Sequence, residues 1–534
     1  MPRRQHRSIK PQITMMNLTT DPWIPVVDVG GASSLASLQD VFAGAHRDLA
    51  VRPHERVALR RLLLCVAHAA LDGPKDRAAW KVARLELPGK AKVYLNDHRD
   101  AFELFHPTKP FLQCAGLEKP PKPPKPAKKV KIPTEIVEED ADEGTSASKL
   151  DFSLSTGNNT TFFDHGAAND EPRCFTPAQL ALMLITFQCF SPGGLIGVAR
   201  WKGASTPGNG KGRHALCTPS SMLHSFIRAG SLVDTIHANL ISKHAVAMIY
   251  SKKWGQPVWE FMPKAFSDED AVENATGTFL GRLMPLTRAL LLRPDGRTIV
   301  LANGLDYPTF PEWPHEPTAA VVRKRDDSGH AVVGAGQKAI WRELHGLVMR
   351  RKAGEPGGPI SLTEIAETNS AQALDIWVGA LITDKASILD TVEGVHHLPP
   401  GMLKDEGRLA YAAGVRFSED EAGHLSEAAR HYRKLLELKP QGSPEAIFAL
   451  RRYWTEVELN VPMLKAAASP LTGVEVAGHR AAWEKTVRRA SSEALDAACP
   501  QQTPRQQRAH ALARRALMAA RRRLKDQQPA STKS

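Results

Sequence analysis

Histidines, cysteines, paired carboxylates and glycine-flanked lysines decide which reactions a chain can run, and here none falls into a reactive spacing. Gly203 to Gly208 has the separation of a phosphate-cradling loop, but Asn209 stands where its lysine belongs. His396-His397 is followed by Leu398-Pro399-Pro400 and has no carboxylate partner at metal-ligand spacing, so a turn is expected there. No HExxH and no G-x-S-x-G elbow occurs. Cys65, Cys114, Cys174, Cys189, Cys217 and Cys499 include no CxxC pair, and several lie in apolar runs, which reads as reduced, mostly buried thiols. No catalytic residue, metal site or cofactor is therefore expected. The chemistry on offer is that of a binder.

The charge balance says what kind. Lys and Arg total 70 against 57 Asp and Glu, a net charge of +13, and the pI is near 9.4. Such an excess draws a soluble protein toward polyanions. Near the C-terminus Arg508, Arg515 and Arg522 recur seven residues apart, on a different face from the stripe Leu512, Ala516, Ala520 and Leu524. The longest apolar runs, Leu62–Ala67 and Leu180–Phe187, fall far short of the roughly 20 residues a bilayer span needs. The basic stretch Met1–Met15 precedes polar sequence rather than an apolar signal core, which points to the cytoplasm.

The elements that must position these groups fall into blocks. At 534 residues the chain predicts two to four domains, with roughly three quarters of its unfolded surface buried. Residues 1–15 read as a disordered basic extension. Residues 16–406 read as a mixed α/β body of the α+β class, with a strand over Trp23–Val27, a helix over Glu55–Leu71 behind Pro53, and a helix started by Thr176-Pro177 and stopped by Ser191-Pro192-Gly193-Gly194. Within it, 118–150 reads as a mobile insertion: KPPKPPKPAKKVK and then six acids between Glu135 and Glu143 cannot bury enough apolar surface to fold. Short apolar runs between turns over Ser220–Trp341 predict strands and hairpins. Residues 407–534 predict a four-helix bundle with a basic tail, its helices near 418–439, 444–468, 475–498 and 504–526, the first capped by Ser418-x-x-Glu421 and the second interrupted at Pro462.

Several otherwise unexplained stretches together resemble the CasA family, the large subunit of the type I-E CRISPR Cascade complex. They are Asn17-Leu18-Thr19-Thr20-Asp21-Pro22-Trp23-Ile24-Pro25-Val26, His106-Pro107 with Phe111-Leu112-Gln113, Gly157-Asn158-Asn159-Thr160-Thr161-Phe162-Phe163-Asp164-His165, Ala302-Asn303-Gly304-Leu305, Trp313-Pro314-His315, Ile340-Trp341 and Thr383–Leu389. They follow the family's order across about residues 16–470, and their collinearity gives the resemblance its weight.

That resemblance implies a non-catalytic subunit that reads the protospacer-adjacent motif on double-stranded DNA, helps open the duplex for the guide RNA, and helps recruit the helicase-nuclease. Three elements are implied for the motif. A glycine loop at Gly193, Gly194 and Gly197 would bring backbone against base edges. A basic finger would fall on Arg297, six residues before Asn303. A hairpin tip, Asp384-Lys385-Ala386, would act as the strand-separating wedge. Asn158, Phe163 and His165 would anchor the subunit near the guide's 5′ handle and the neighbouring Cascade subunits. Two other readings stay open: an architectural subunit of an RNA complex without motif recognition, and a metal-dependent nuclease with dispersed ligands.

Overall fold

Met16 is fixed in the core: its side chain is buried and its N–H donates to Glu103 Oε1 at 2.8 Å. The computed structural model describes residues 15–44, 46–119, 144–152, 173–193, 196–206, 214–249, 253–308, 316–324, 329–336, 338–352, 355–368, 372–384, 387–439, 442–469 and 473–527. These divide into two compact units, one drawn from Met1–Ile340, Arg350–Thr368 and Asp375–His396, the other from Trp341–Met349, Asn369–Leu374 and His397–Ser534.

The opening motif of the first unit is a structural plug. Asn17 Nδ2 donates to the Arg99 carbonyl at 2.9 Å and the buried Trp23 indole donates to the Leu18 carbonyl at 2.9 Å. Strand β1 (Ile24–Asp28) pairs antiparallel with β2 (Ser33–Ala36) and β3 (His46–Leu49), with helix α1 (Leu38–Ala43) capped by Ser37 between those two. Helix α2 (Pro53–Ala70) starts on Pro53 as the sequence predicts and is buried along most of its length. It packs against α3 (Arg77–Asp97) and the apolar α4 (Pro177–Phe190), whose start is a capping box between Thr176 and Gln179.

Between those helices lies β4 (Thr145–Ser146), which pairs with a strand far along the chain, Thr145 opposite Ile299. Leu150 is buried and the Ala147 N–H donates to the Arg297 carbonyl at 2.7 Å. The insertion expected over 118–150 is therefore too long at its C-terminal end: residues 144–150 are packed, because sheet pairing and one buried leucine hold what composition alone marks as polar. Past α4, β5 (Arg200–Trp201) and β6 (Ala204–Ser205) make a minimal hairpin. Strand β7 (His224–Arg228) follows.

The strand-rich reading of 220–341 needs correction over its first half. Four helices stand there instead: α5 (Leu232–Ala238), α6 (Lys243–Ile249), α7 (Glu269–Gly277) and α8 (Phe279–Leu283). Ser231, Asp268 and Thr278 accept at their N-termini, and these caps override apolar runs too short to show a helical period. The hairpins appear afterwards. Strand β8 (Arg288–Leu292) pairs with β9 (Thr298–Asn303), and β10 (Val321–Arg323) with β11 (His330–Val332). Then come α9 (Leu344–Leu347), α10 (Ile360–Thr368), and the long pair β12 (Leu374–Asp384) and β13 (Ser387–Leu398), with β12 between β13 and β7.

The first unit's core encloses a charged centre. Glu316, fully buried, is bonded by Arg61 of α2 and lies 2.7 Å from Arg282 of α8, while Thr318 Oγ1 accepts from Arg61 at 2.7 Å. Burial opposes the Glu316 charge, but Arg282 and Arg61 outweigh it and hold the carboxyl at about 2.

The second unit's C-terminal part is the expected four-helix arrangement: α11 (Asp405–Leu435), α12 (Pro444–Leu459) continuing as α13 (Val461–Ala467), α14 (Gly473–Ala498) and α15 (Pro504–Gln527). Pro462 breaks the second helix at Asn460. The first helix begins at Asp405, not Ser418. Ser418 is no cap: its Oγ donates to Val415 O and its carbonyl accepts from Tyr453 Oη, both at 2.7 Å. Its capping-box partner Glu421 is buried against Ser491 and Arg521. In α15 the innermost stripe is Ala509, Ala513 and Leu517 rather than Leu512, Ala516 and Ala520, while Arg508, Arg515 and Arg522 are exposed as expected.

Candidate nucleic-acid interface

Arg297 occupies the turn of the β8–β9 hairpin, and its backbone is fixed on every side. Its N–H donates to Asp295 Oδ1 at 2.8 Å, its carbonyl accepts from Ala147, and the carbonyl of Gly296 accepts from the Phe175 N–H at 2.8 Å. Gly296 has φ +69°, and a Cβ there would stand 2.6 Å from the Phe175 carbonyl oxygen, so this turn requires glycine. Thr298 Oγ1 donates to Asp295 Oδ2 at 2.7 Å. Partial burial opposes the Asp295 charge, yet the hydrogen bonds from Thr298 and the Arg297 amide keep its pKa below the ordinary value. The carboxylate is thus committed to the turn, and the Arg297 guanidinium is exposed with no hydrogen-bond or ion-pair partner among the described residues. This is a rigid backbone presenting an exposed cation, whose charge also helps hold Asp295 ionised.

The glycine loop divides. Gly193 is buried and its N–H donates to His214 Nδ1 at 3.1 Å. Burial and the nearby Arg288 charge lower the His214 pKa, so the neutral ring can accept at Nδ1. Arg288 fastens the same segment, donating to Ser191 Oγ at 2.9 Å, to the Pro192 carbonyl at 2.8 Å and to Asn303 Oδ1 at 3.0 Å. Gly193 therefore has an internal structural partner and is not open to a base. Gly197 differs: it is exposed and nothing lies within 4 Å of the position a Cβ would take, so packing does not demand glycine there. Gly194 lies outside the described residues.

The structure does not bring Gly193 and Arg297 together. Helix α4 starts beside the hairpin turn, through Phe175, and ends at the open end of the same hairpin, where Gln188 Oε1 accepts from the Arg288 N–H at 2.8 Å. Fourteen residues at about 1.5 Å each place the two sites about 20 Å apart. Sequence spacing could not show this, because the two segments are joined only through the register of α4 on β8.

Asp384 is exposed at the end of β12, and β13 resumes at Ser387, so the wedge segment does join two paired strands. Lys385 and Ala386 lie outside the described residues, as do Asn158, Phe163 and His165. Sequence reasoning missed Arg288 and His214, which hold the glycine loop. Arg288 stands three positions after Pro285 in an apolar run, and its one signal is that a lone arginine there needs buried partners. Among the described residues no group of three or more His, Cys, Asp or Glu is placed to hold a metal ion. Cys174 alone of the six cysteines is exposed. No described helix is long and apolar enough to cross a membrane.

Residues 17–494 match the family model for CRISPR-associated protein Cse1. The CRISPR-associated protein CasA/Cse1 of Thermus thermophilus is 26% identical over 441 residues, 78% of this chain and 78% of that protein. Among solved structures, Thermobifida fusca Cse1 has a TM-score of 0.75 at 20% identity, covering 95% of this chain and 98% of its own. A chain of a CRISPR RNA-guided surveillance complex has a TM-score of 0.71 at 17% identity, covering 94% and 99%. At these identities the solved structures establish a shared fold.

Proposed function

The chain belongs to the Cse1 family of CRISPR-associated proteins, and on that premise we propose that it is the large subunit of an RNA-guided surveillance complex. In this reading it recognises the protospacer-adjacent motif on double-stranded DNA, promotes duplex opening so that guide RNA can pair, and helps recruit the helicase-nuclease that degrades the target. Fold likeness to a surveillance-complex chain supports the assembly. The observation that carries the DNA-reading half is Arg297, an exposed guanidinium on an immobilised turn.

Base pairing with the guide supplies sequence identity, so protein need read only a few base pairs and stabilise the parted strands. Arg297 would meet minor-groove acceptors or flanking phosphate. Exposed Gly197 would let backbone approach closely, and Gly193 would act as its fixed anchor rather than as a contact. Asp384-Lys385-Ala386 would wedge below the motif, where unstacking costs a few kcal/mol and is offset by contacts to the opened strands. Asn158, Phe163 and His165 would seat the subunit on the guide and its neighbours.

Target binding by complex reconstituted with and without this chain tests the proposal. Omission should abolish loading on targets that carry the motif. Equal loading with and without it would leave only an architectural role.

A further inference from the structure

Two of the six cysteines have no part in the function proposed above, yet the fold sets them face to face. Cys189 in the last turn of α4 and Cys217 in the segment leading into β7 are both buried. The Cys217 N–H donates to the Cys189 carbonyl at 3.3 Å, and the Ala215 N–H donates to the Ser191 carbonyl at 2.9 Å. The two segments therefore run antiparallel, with Cys189 opposite Cys217. Hydrogen-bonded opposites of this kind hold their Cα atoms about 5.5 Å apart, inside the roughly 4.4–6.8 Å that a disulfide spans. The side chains meet as well: the Cys189 thiol donates to the Cys217 sulfur.

The surroundings divide the labour between the two sulfurs. The charged centre of the first unit lies beside them: Arg282 donates to the carbonyl of Leu216, the chain neighbour of Cys217, and the Arg61 charge is felt at both cysteines. Burial opposes a thiolate at Cys217, but the hydrogen bond from Cys189 and the charges of Arg61 and Arg282 outweigh it and bring its pKa below the ordinary thiol value. The same hydrogen bond, together with burial, pushes the Cys189 thiol up. Cys217 is thus the nucleophile and Cys189 the protonated neighbour.

Burial selects the oxidant. With Cys189 0% and Cys217 1% exposed, a bulky disulfide such as oxidised glutathione cannot bring its sulfurs to them. Hydrogen peroxide, scarcely larger than water, needs only a small opening of the surrounding packing.

We infer that Cys189 and Cys217 form a redox modification site, which hydrogen peroxide converts to a disulfide and larger oxidants leave reduced. The Cys217 thiolate attacks one peroxide oxygen, the O–O bond breaks, and the departing hydroxide takes up the proton that Cys217 had released, leaving a sulfenic acid and one water. The Cys189 sulfur then gives up its proton and attacks the sulfenic sulfur. The S–O bond breaks, and hydroxide leaves with that proton as the second water. Two thiols are oxidised and one peroxide is reduced. Because the two sulfurs are already in contact, the sulfenic acid is captured before a second peroxide oxidises it further. The new bond ties the base of residues 190–216, the stretch that carries Gly193, Gly197 and the β5–β6 hairpin. Its basis is independent of the function proposed above.

The test uses the purified full chain carrying Cys174→Ser, which removes the one exposed thiol and leaves five. After hydrogen peroxide, denaturation and alkylation, the free-thiol count should fall from five to three. The intact mass should drop by that of two hydrogen atoms, and peptide mapping without reductant should show Cys189 joined to Cys217. Dithiothreitol should restore every thiol, whereas oxidised glutathione at the same concentration should consume none. Cys189→Ala should stop the reaction at a sulfenic acid on Cys217, detected with dimedone in the denaturing quench. The unsubstituted chain should give the same linked peptide, so the result does not depend on how a variant folds. All five thiols surviving a peroxide dose that oxidises Cys174 in the unsubstituted chain, a link between any other pair, a link formed only in urea, or equal linkage by oxidised glutathione each overturns the inference.

Discussion

Arg288 donates to the carbonyl of Pro192 at 2.8 Å, so the residue that opens the β8 strand also sets the entry to the glycine loop. The same guanidinium reaches Asn303 Oδ1 at 3.0 Å. The Asn-Gly-Leu motif and the Pro192-Gly193 start of the glycine loop are thus two ends of one buried network, which gives Asn303 and Gly193 a structural role and leaves exposed Gly197 outside it.

Arg288→Ala should therefore act on stability. It leaves Pro192 O, Ser191 Oγ and Asn303 Oδ1 without their partner, and unsatisfied buried groups cost about 1–3 kcal/mol each before relaxation. A net loss of about 2–4 kcal/mol in urea unfolding is expected, with faster proteolysis after Phe190. Native-like unfolding of the variant would show the network to be incidental.

Arg297→Ala should act on binding instead. Its guanidinium is exposed and unpaired among the described residues, so unfolding free energy should stay within about 0.5 kcal/mol of native. In assembled complex the variant should load target duplex more weakly, with the salt slope smaller by about 1. Arg297→Lys should recover part of the loss.

How legible the molecule is from sequence depends on whether the information is local. The starts of α2, α4, α12 and α15 stand on Pro53, Pro177, Pro444 and Pro504, and each proline sets its own helix regardless of distant contacts. Ser418-x-x-Glu421 shows the limit of that logic. The pattern of a cap is present, but the chain upstream is equally helical, and Arg521, a hundred residues later, pulls Glu421 inward. The candidate site divides in the same way. Arg297 is legible because Asp295-Gly296 announces its turn, whereas the burial of Gly193 depends on His214 and Arg288, which no spacing connects to it.

Arg521 should be the bundle's weakest point of attachment. It donates to Glu421 Oε1 at 2.7 Å and to the Arg488 carbonyl at 2.8 Å, joining α15 to α11 and α14. Arg521→Met leaves the buried Glu421 carboxylate with the Ser491 hydroxyl but without its guanidinium, a defect of up to about 3–5 kcal/mol. The expected readout is early hydrogen exchange in α15. Replacing Glu421 by Gln in the same chain should restore part of the protection.

Acid should weaken the first unit in two stages. His68 and His224 are held neutral, with burial drawing their pKa values from 6.5 down to about 3 and about 4. The unfolded chain takes up these protons first, so this stability is complete above pH 6.5 and is lost as pH falls toward the folded values. Glu316, depressed from 4.5 to about 2, adds stability that is present above 4.5 and lost below it. Urea unfolding followed against pH should decline through both windows. Glu316→Gln should flatten the lower one, and a level profile between pH 6.5 and 4.5 would contradict the histidine assignment.

The most direct measurement of the central claim is target loading by reconstituted complex across a library of flanking trinucleotides, comparing native chain with Arg297→Ala. The account predicts that native complex loads a small subset of flanks and that the variant loses affinity for that subset while still assembling. Uniform loading of all flanks by the native complex, or an unchanged subset and affinity in the variant, would contradict it.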